Sequence, residues 1–181
     1  VIDDTNAYAS SADLLVLSGI ASADVTVERR GDDAVIVVQP SAPGANDGGT
    51  IKLKGQMSPL YDSGVETIQF SDTAWTAADL RQRYLDYSTT DSNDVVTGTS
   101  GDDTMTGQRG NDVLSGGRGM DTYVYTCGDG FDVVDDSQQF DSYADTLVLH
   151  GITASQVKLQ RAGADVVVQI AASSPAANDS G

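Results

Sequence analysis

Residues 98–124 read GTSGDDTMT, GQRGNDVLS and GGRGMDTYV, which are three nine-residue units in direct succession. Each unit has glycine at its first and fourth positions, aspartate at its sixth and one large apolar residue at its eighth. Glycine allows the backbone to turn tightly, so each unit predicts a six-residue turn followed by a three-residue strand. Two units would form one coil of a parallel stack, with Met105, Leu114 and Tyr123 pointing to the axis. Because a single unit buries almost nothing, the coil is stable only when stacked.

Weaker copies of the unit lie on both sides of these three. A degenerate copy ends in Asn93-Asp94-Val95-Val96, with Asp94 at the sixth position and Val96 at the eighth. After Val124 the register slips by two residues, and residues 128–134 resemble a closing copy that contains Asp132. The repeated zone therefore extends beyond the three clear units in both directions.

Stacking of the units predicts a calcium-binding site. Units one coil apart lie on the same side, which places Asp94 beside Asp112, and Asp103 beside Asp121, at about 4.8 Å. Two carboxylates at this distance repel by about 1 kcal/mol in water and by about 3.5 kcal/mol at an effective dielectric of about 20. Calcium binds oxygens at about 2.3–2.6 Å, so ligands on opposite sides of the ion match this spacing. Magnesium prefers about 2.1 Å and a stiff octahedron, and should fit poorly.

The three central units resemble the RTX, or haemolysin-type, calcium-binding nonapeptide repeat. This resemblance implies a parallel β-roll that holds calcium, about three or more ions, between its coils. Thr99 and Gln108 depart from the family pattern, in which glycine is usual at the second position. The implied metal-site residues are the sixth-position aspartates and residues of the turns: Asp94, Gly98, Ser100, Asp102, Asp103, Gly107, Arg109, Asn111, Asp112, Gly116, Arg118, Asp121, Asp129 and Asp132.

A longer internal repeat surrounds this zone. Residues 1–49 align without a gap on residues 133–181, at an offset of 132, and 22 of the 49 pairs are identical. Gly31 aligns with Gly163, and Asn46-Asp47 falls on the same pair of residues in the second copy. The match predicts that the chain is a piece of a longer tandem array, in which neighbouring copies of the repeat are its partners.

Composition divides the chain into three zones. Residues 1–88 alternate apolar and polar residues and predict a β-rich flanking or capping segment, with one short helix near residues 76–87. Residues 89–136 form the predicted RTX β-roll, and residues 137–181 form a C-terminal capping segment that begins the second copy. Residues 13–20, 29–38 and 66–70, the last of these before Trp75, resemble the haemolysin-type calcium-binding-related segments that often neighbour such rolls. The predicted fold class is therefore all-β: a parallel β-roll between β-rich capping segments, with one short helix.

The helix is predicted from a start signal and an apolar face. Thr76 followed by Asp79 three residues later is typical of a capping box. Leu80, Tyr84 and Tyr87 recur at helical spacing and are expected to share one buried face.

Composition also restricts partners and chemistry. The chain has 27 acidic and 10 basic residues and a formal charge of −17, which favours cations and argues against nucleic acid or an anionic membrane surface. Its apolar runs are far shorter than the roughly 20 residues of a membrane span. Its single cysteine, Cys127, and single histidine, His150, exclude an intrachain disulfide and a Cys/His zinc set. No acid, base or nucleophile set is visible, so we do not predict an enzyme.

The leading hypothesis is a calcium-dependent structural repeat of a large secreted bacterial protein of the adhesin, surface-layer or biofilm type. The resemblance implies type I secretion, an extracellular or cell-surface location, and folding on calcium outside the cell. One alternative is an accessory secretion and folding module of an RTX toxin or of a secreted protease, lipase or epimerase. Another is a carbohydrate-binding or lyase-like face on the flanking sheets, which would bind a surface or glycan ligand.

Overall fold

The computed structural model describes residues 12–59, 64–137 and 143–171. These residues are mostly β, with one short α-helix. None of the helices among them is long and apolar enough to span a membrane. The elements are β1 (Leu14–Val16), β2 (Val25–Arg30), β3 (Asp33–Val38), β4 (Gly49–Leu53), β5 (Thr67–Gln69), β6 (Ala74–Thr76), α1 (Ala77–Ser88), β7 (Val95–Thr97), β8 (Thr104–Thr106), β9 (Val113–Ser115), β10 (Thr122–Thr126), β11 (Val133–Val134), β12 (Thr146–His150), β13 (Val157–Ala162) and β14 (Asp165–Ile170).

The N-terminal part is built from two three-stranded sheets. Strands β2, β3 and β4 form an antiparallel meander, while β1 pairs in parallel with β5, which pairs antiparallel with β6. The β2–β3 turn contains Gly31 at φ +66°, a left-handed conformation that glycine adopts without strain. Alternate apolar residues of these strands face one core. The first core consists of Leu17, Val25, Val27, Ala34, Ile36, Leu53, Met57, Val65, Ile68, Phe70, Trp75 and Leu80.

Helix α1 begins where the sequence predicts it and lies between two cores. The Thr76 hydroxyl accepts from the Asp79 amide at 3.1 Å, and the Asp79 carboxylate accepts from the Thr76 amide at 2.8 Å, which completes the capping box. The expected apolar face is partly wrong, because Tyr87 is 56% exposed and Leu85 is buried instead. Leu80 packs in the first core, whereas Leu85 packs in a second one. The helix therefore buries two faces rather than one.

The repeated zone forms two separate parallel sheets whose strands alternate along the chain. One sheet has the order β7-β9-β11 and the other has the order β8-β10-β12. Neighbouring strands of the central units pair at an offset of 18 residues, with Val95 opposite Val113 and Thr104 opposite Thr122. The eighth-position residues are buried together as the sequence predicts. With the helix residue they form the second core: Leu85, Val96, Met105, Leu114 and Tyr123.

The second copy of the long repeat takes the same local structure as the first. The 3₁₀ turn Ala154–Gln156 and the hairpin β13–β14 repeat Ser22–Asp24 and β2–β3 at the offset of 132. Gly163 has φ +69°, against +66° at Gly31. Of the aligned residues, 1–11, 138–142 and 172–181, which include Asn178-Asp179, lie outside the described residues.

Candidate metal centre

A ladder of aspartates runs along the stacked turns. The backbone N–H of each sixth-position aspartate donates to the Oδ1 of an aspartate one coil further along. These bonds are 2.8–3.0 Å long and join Asp94 to Asp112, Asp103 to Asp121, Asp112 to Asp132, and Asp121 to Asp145. These bonds fix the orientation of the acceptor side chains. They use one oxygen of each acceptor carboxylate, Oδ1, and leave Oδ2 out of the bond to the neighbouring coil.

The second carboxylate oxygens of the ladder differ in their partners. Asp112 and Asp121 are 0% and 1% exposed, and among the described residues their Oδ2 atoms receive no hydrogen bond. A buried carboxylate oxygen without a donor costs free energy unless a cation or a solvent molecule satisfies it. These two orphaned oxygens, at equivalent positions of successive units, are the feature of the structure that fits a bound cation.

Threonine at the second position of a unit satisfies the aspartates of the first coil. The Thr99 amide and hydroxyl donate to the Asp103 Oδ2 at 2.6 and 3.0 Å. Thr90 makes the same two bonds to Asp94, at 2.6 and 2.9 Å. The second coil has no threonine at the second position of its units. Its second-position residues are Gln108, which donates to the Thr89 carbonyl instead, and Gly117. The departure from glycine at Thr99 thus changes the surroundings of the neighbouring carboxylate.

The first-position glycines leave space for the orphaned oxygens. A Cβ placed on Gly107 would collide with the Asp112 Oδ2, and a Cβ on Gly116 would collide with the Asp121 Oδ2. At Gly98 the corresponding Asp103 oxygen would lie 2.7 Å from the added carbon. Glycine is therefore required at these positions because the carboxylate approaches the turn backbone.

Burial makes the ladder carboxylates costly to ionise. Together with the neighbouring carboxylates of Asp103 and Asp145, it raises the pKa of Asp121 to about 7. Burial also raises the pKa of Asp103, Asp112 and Asp132. Full ionisation near neutral pH therefore needs compensating positive charge.

The structure separates the other implied site residues into three groups. The fifth-position side chains face outward, where the Asp102 Oδ1 accepts from the Met120 amide at 2.8 Å and the Asn111 Oδ1 accepts from the Phe131 amide at 2.9 Å. Arg109 and Arg118 are exposed, so only their backbone carbonyls are suited to a cation. The Ser100 Oγ is buried and receives no hydrogen bond from the described residues.

The closing turns continue the ladder despite their irregular spacing. Asp132 lies 20 residues after Asp112, yet it accepts that residue's amide, and Val133 pairs with Val113. Asp129 accepts from the Thr126 amide at 2.7 Å and holds its own turn. The register slip is therefore absorbed in the turn.

Asp145 is a member of the ladder that the sequence analysis missed. Its Oδ1 accepts from the Asp121 amide at 2.8 Å, and Leu147 pairs with Tyr123. The connection is 24 residues long, which hides it from a nine-residue period. A local signal exists, because Asp145-Thr146-Leu147 repeats the aspartate, threonine and large-residue order of Asp121-Thr122-Tyr123.

The described part of the ladder brings few acidic side chains together at any one point. Across residues 12–59, 64–137 and 143–171, His, Cys, Asp and Glu side chains form no group of three or more placed to bind a metal. A hard cation at the orphaned oxygens would complete its shell with backbone carbonyls of the turns or with water, as calcium does readily.

Comparison with known proteins assigns the same segment. Residues 88–123 match the family model of the RTX calcium-binding nonapeptide repeat, in four copies. Neither a curated protein nor a solved structure matches the chain. Repeats of this family are structural modules that bind calcium. Asp94, Asp103, Asp112 and Asp121 of the ladder therefore lie within the segment of four RTX calcium-binding nonapeptide repeats, whereas Asp132 and Asp145 lie beyond the matched residues.

Proposed function

We propose that the chain is a calcium-dependent structural repeat of a secreted or cell-surface protein, in which calcium bound in the turns of residues 89–136 completes a parallel β-roll. One observation carries the proposal: the Oδ2 atoms of Asp112 and Asp121 are buried and receive no hydrogen bond from the described residues. Calcium supplies the positive charge and the open coordination shell that such oxygens lack.

The residues of the chain have distinct roles in this proposal. The Oδ1 atoms of Asp112 and Asp121 hold the backbone of the preceding coil, and their Oδ2 atoms are left for the ion. The first-position glycines, Gly107 and Gly116, let carbonyls and carboxylates meet at one point. Repetition of the unit favours three or more ions, and their binding would make the stack rigid only where calcium is plentiful, as outside the cell.

Calcium titration of matched variants tests the proposal. Asp112→Asn and Asp121→Asn keep an oxygen for the amide of the preceding coil and remove the charge. Isothermal titration should show at least one calcium site weakened about tenfold or more in each variant. Asp47→Asn is the matched control, because Asp47 accepts from Ser41 in an exposed turn outside the repeats.

Circular dichroism supplies the second readout. The parent chain in EDTA should gain β-structure and melt at a higher temperature when calcium is added, and magnesium at the same concentration should do less. If neither the spectrum nor the melting temperature changes when calcium is added, the proposal is wrong. Equal calcium affinity in the parent chain and in Asp121→Asn would show that the carboxylate of Asp121 does not bind the ion.

A further inference from the structure

The two β-hairpins of the long repeat differ in what covers them. Val27 and Ala34 on the first hairpin are 4% and 0% exposed. Their counterparts at the offset of 132, Leu159 and Val166, are 71% and 65% exposed. Both pairs are apolar, so the chemistry of the face is the same. An apolar face that is buried in one copy and open in the other indicates a missing cover.

Residues 49–88 cover the first hairpin. β4 pairs with β3, with Ile51 opposite Ile36 and Leu53 opposite Ala34, and α1 packs against β2. Apart from Leu17, the rest of the first core comes from residues that follow β4. Among the described residues, β13 and β14 pair only with each other. No third strand pairs with β14 there as β4 pairs with β3. The remaining cover of the first hairpin is Met57, Val65, Ile68, Phe70, Trp75 and Leu80.

The strands β1 and β12, which correspond at the offset of 132, also differ in the pairing of their edges among the described residues. On either side of β1, the Asp13 carbonyl accepts from the Thr67 amide, and the Leu17 amide donates to the Gln69 carbonyl in β5. In β12 the Thr146 amide donates to Asp121, on the side of β10. Successive residues of a strand direct their backbone groups to opposite edges. The backbone groups of Asp145 and Leu149, the counterparts of Asp13 and Leu17, therefore point away from β10, at the outer edge of the sheet.

We propose that the open face formed by β12, β13 and β14 docks a second copy of residues 49–88. In this arrangement a second β5 pairs with the outer edge of β12, and a second β4 pairs with β14. The parallel sheet of the repeated zone then continues without a break into the sheet of the next copy. The inference rests on the internal repeat and on strand geometry, and it does not depend on calcium binding.

The occupant is a continuing segment rather than a whole second chain. In another copy of this chain, residues 49–88 already cover that molecule's own first hairpin, so they are not available. The alignment places Gly181 at the position of Gly49. A second copy of residues 50–88 joined directly after Gly181 would therefore meet the open face in the register of the first copy.

Such an extended chain tests the proposal. Hydrogen exchange should be about tenfold or more slower at the Leu149 amide and along β14 than in the 181-residue chain. The Thr146 amide, which already donates to Asp121, should change much less. Sedimentation should show that the extended chain is a monomer.

A double substitution separates docking from general stabilisation. Leu159→Asp together with Val166→Asp should leave the melting temperature of the 181-residue chain nearly unchanged, because both side chains are exposed there. The same pair should abolish the added protection in the extended chain, because it would bury two charges.

Two results would overturn the inference. The first is an extended chain in which the Leu149 amide exchanges as fast as before. The second is a dimer of the 181-residue chain that Leu159→Asp dissociates, because this would assign the face to a whole second copy.

Discussion

The two cores of this chain reach stability by different means. The first core gathers twelve buried side chains from strands of up to six residues, two sheets and a helix. The second core has five, and each central strand contributes a single large side chain. Burial of apolar area stabilises a fold by about 25 cal/mol per Å², so the first core gains much more stability from apolar burial than the second core does.

The polar atoms around the second core add to this difference. Asp112 and Asp121 are buried beside it, each with an oxygen that receives no hydrogen bond from the described residues. A buried charge without a partner opposes folding. A region with little apolar burial and with uncompensated carboxylates needs a ligand, whereas a region with a full apolar core does not. The comparison predicts that the two halves of the chain respond differently to calcium.

Removal of calcium should have the largest effect and should act on one core only. If free calcium is about tenfold above a dissociation constant of about 0.1 mM, each site adds about 1.4 kcal/mol, and three sites add about 4 kcal/mol. In EDTA, the amides of Met105 and Leu114 should exchange rapidly with solvent, whereas those of Ile36 and Leu53 stay protected. Residue-resolved hydrogen exchange measures both cores at once. Simultaneous loss of protection in both cores would show that they unfold as one unit.

Truncation of one side chain in each core should sharpen the same contrast. Leu114→Ala and Ile36→Ala each remove a buried aliphatic group and should cost about 3 kcal/mol of unfolding free energy in calcium. In EDTA, Ile36→Ala should still cost this amount, whereas Leu114→Ala should cost almost nothing, because its surroundings are already unfolded. Chemical denaturation with and without calcium gives the four values. A full cost for Leu114→Ala in EDTA would contradict a calcium-dependent second core.

Sequence reasoning succeeds where a feature is local. The nine-residue period predicts the strands and the burial of Met105 and Leu114, because strand alternation needs only neighbouring residues. The helix start at Thr76 follows from a hydrogen bond between residues three apart. The hairpins repeat because a glycine recurs at the same turn position, at Gly31 and Gly163, and adopts the same left-handed conformation.

The missed features depend on distant parts of the chain. Tyr87 is exposed and Leu85 is buried because α1 contacts two cores, and a single apolar stripe cannot encode two faces. Asp145 joins the ladder across a 24-residue connection that no fixed period contains. Val27 is buried and Leu159 is exposed, although both side chains are aliphatic, so the residue type alone does not predict the difference. Burial there depends on whether a segment like residues 49–88 lies on top.

Acidity should favour the second core when calcium is absent. Burial raises the pKa of Asp121 to about 7, whereas an aspartate in an unfolded chain titrates near 3.9. The folded state therefore binds more protons between these values, and the resulting stability is present at low pH and lost as pH rises through about 7. In EDTA, where the second core is unfolded at pH 7.5, the circular dichroism signal of its strands should return in part as the pH falls to 5. Asp121→Asn should reduce this gain, and a signal that does not change over the same pH range would contradict the burial of these charges.

Relief of backbone strain at Gln108 should have the smallest effect. Gln108 has φ +65°, a left-handed conformation that costs a residue with a side chain about 1 kcal/mol relative to glycine. Its side-chain amide donates to the Thr89 carbonyl at 2.8 Å, which offsets part of that cost. Gln108→Gly should therefore stabilise the second core by about 0.5 kcal/mol in calcium. The converse change at the equivalent position, Gly117→Gln, should destabilise it, because Gly117 has φ +100° and a Cβ there would collide with the Thr99 carbonyl. Thermal melts in calcium compare the two, and a loss of stability in Gln108→Gly would mean that the bond to Thr89 outweighs the strain.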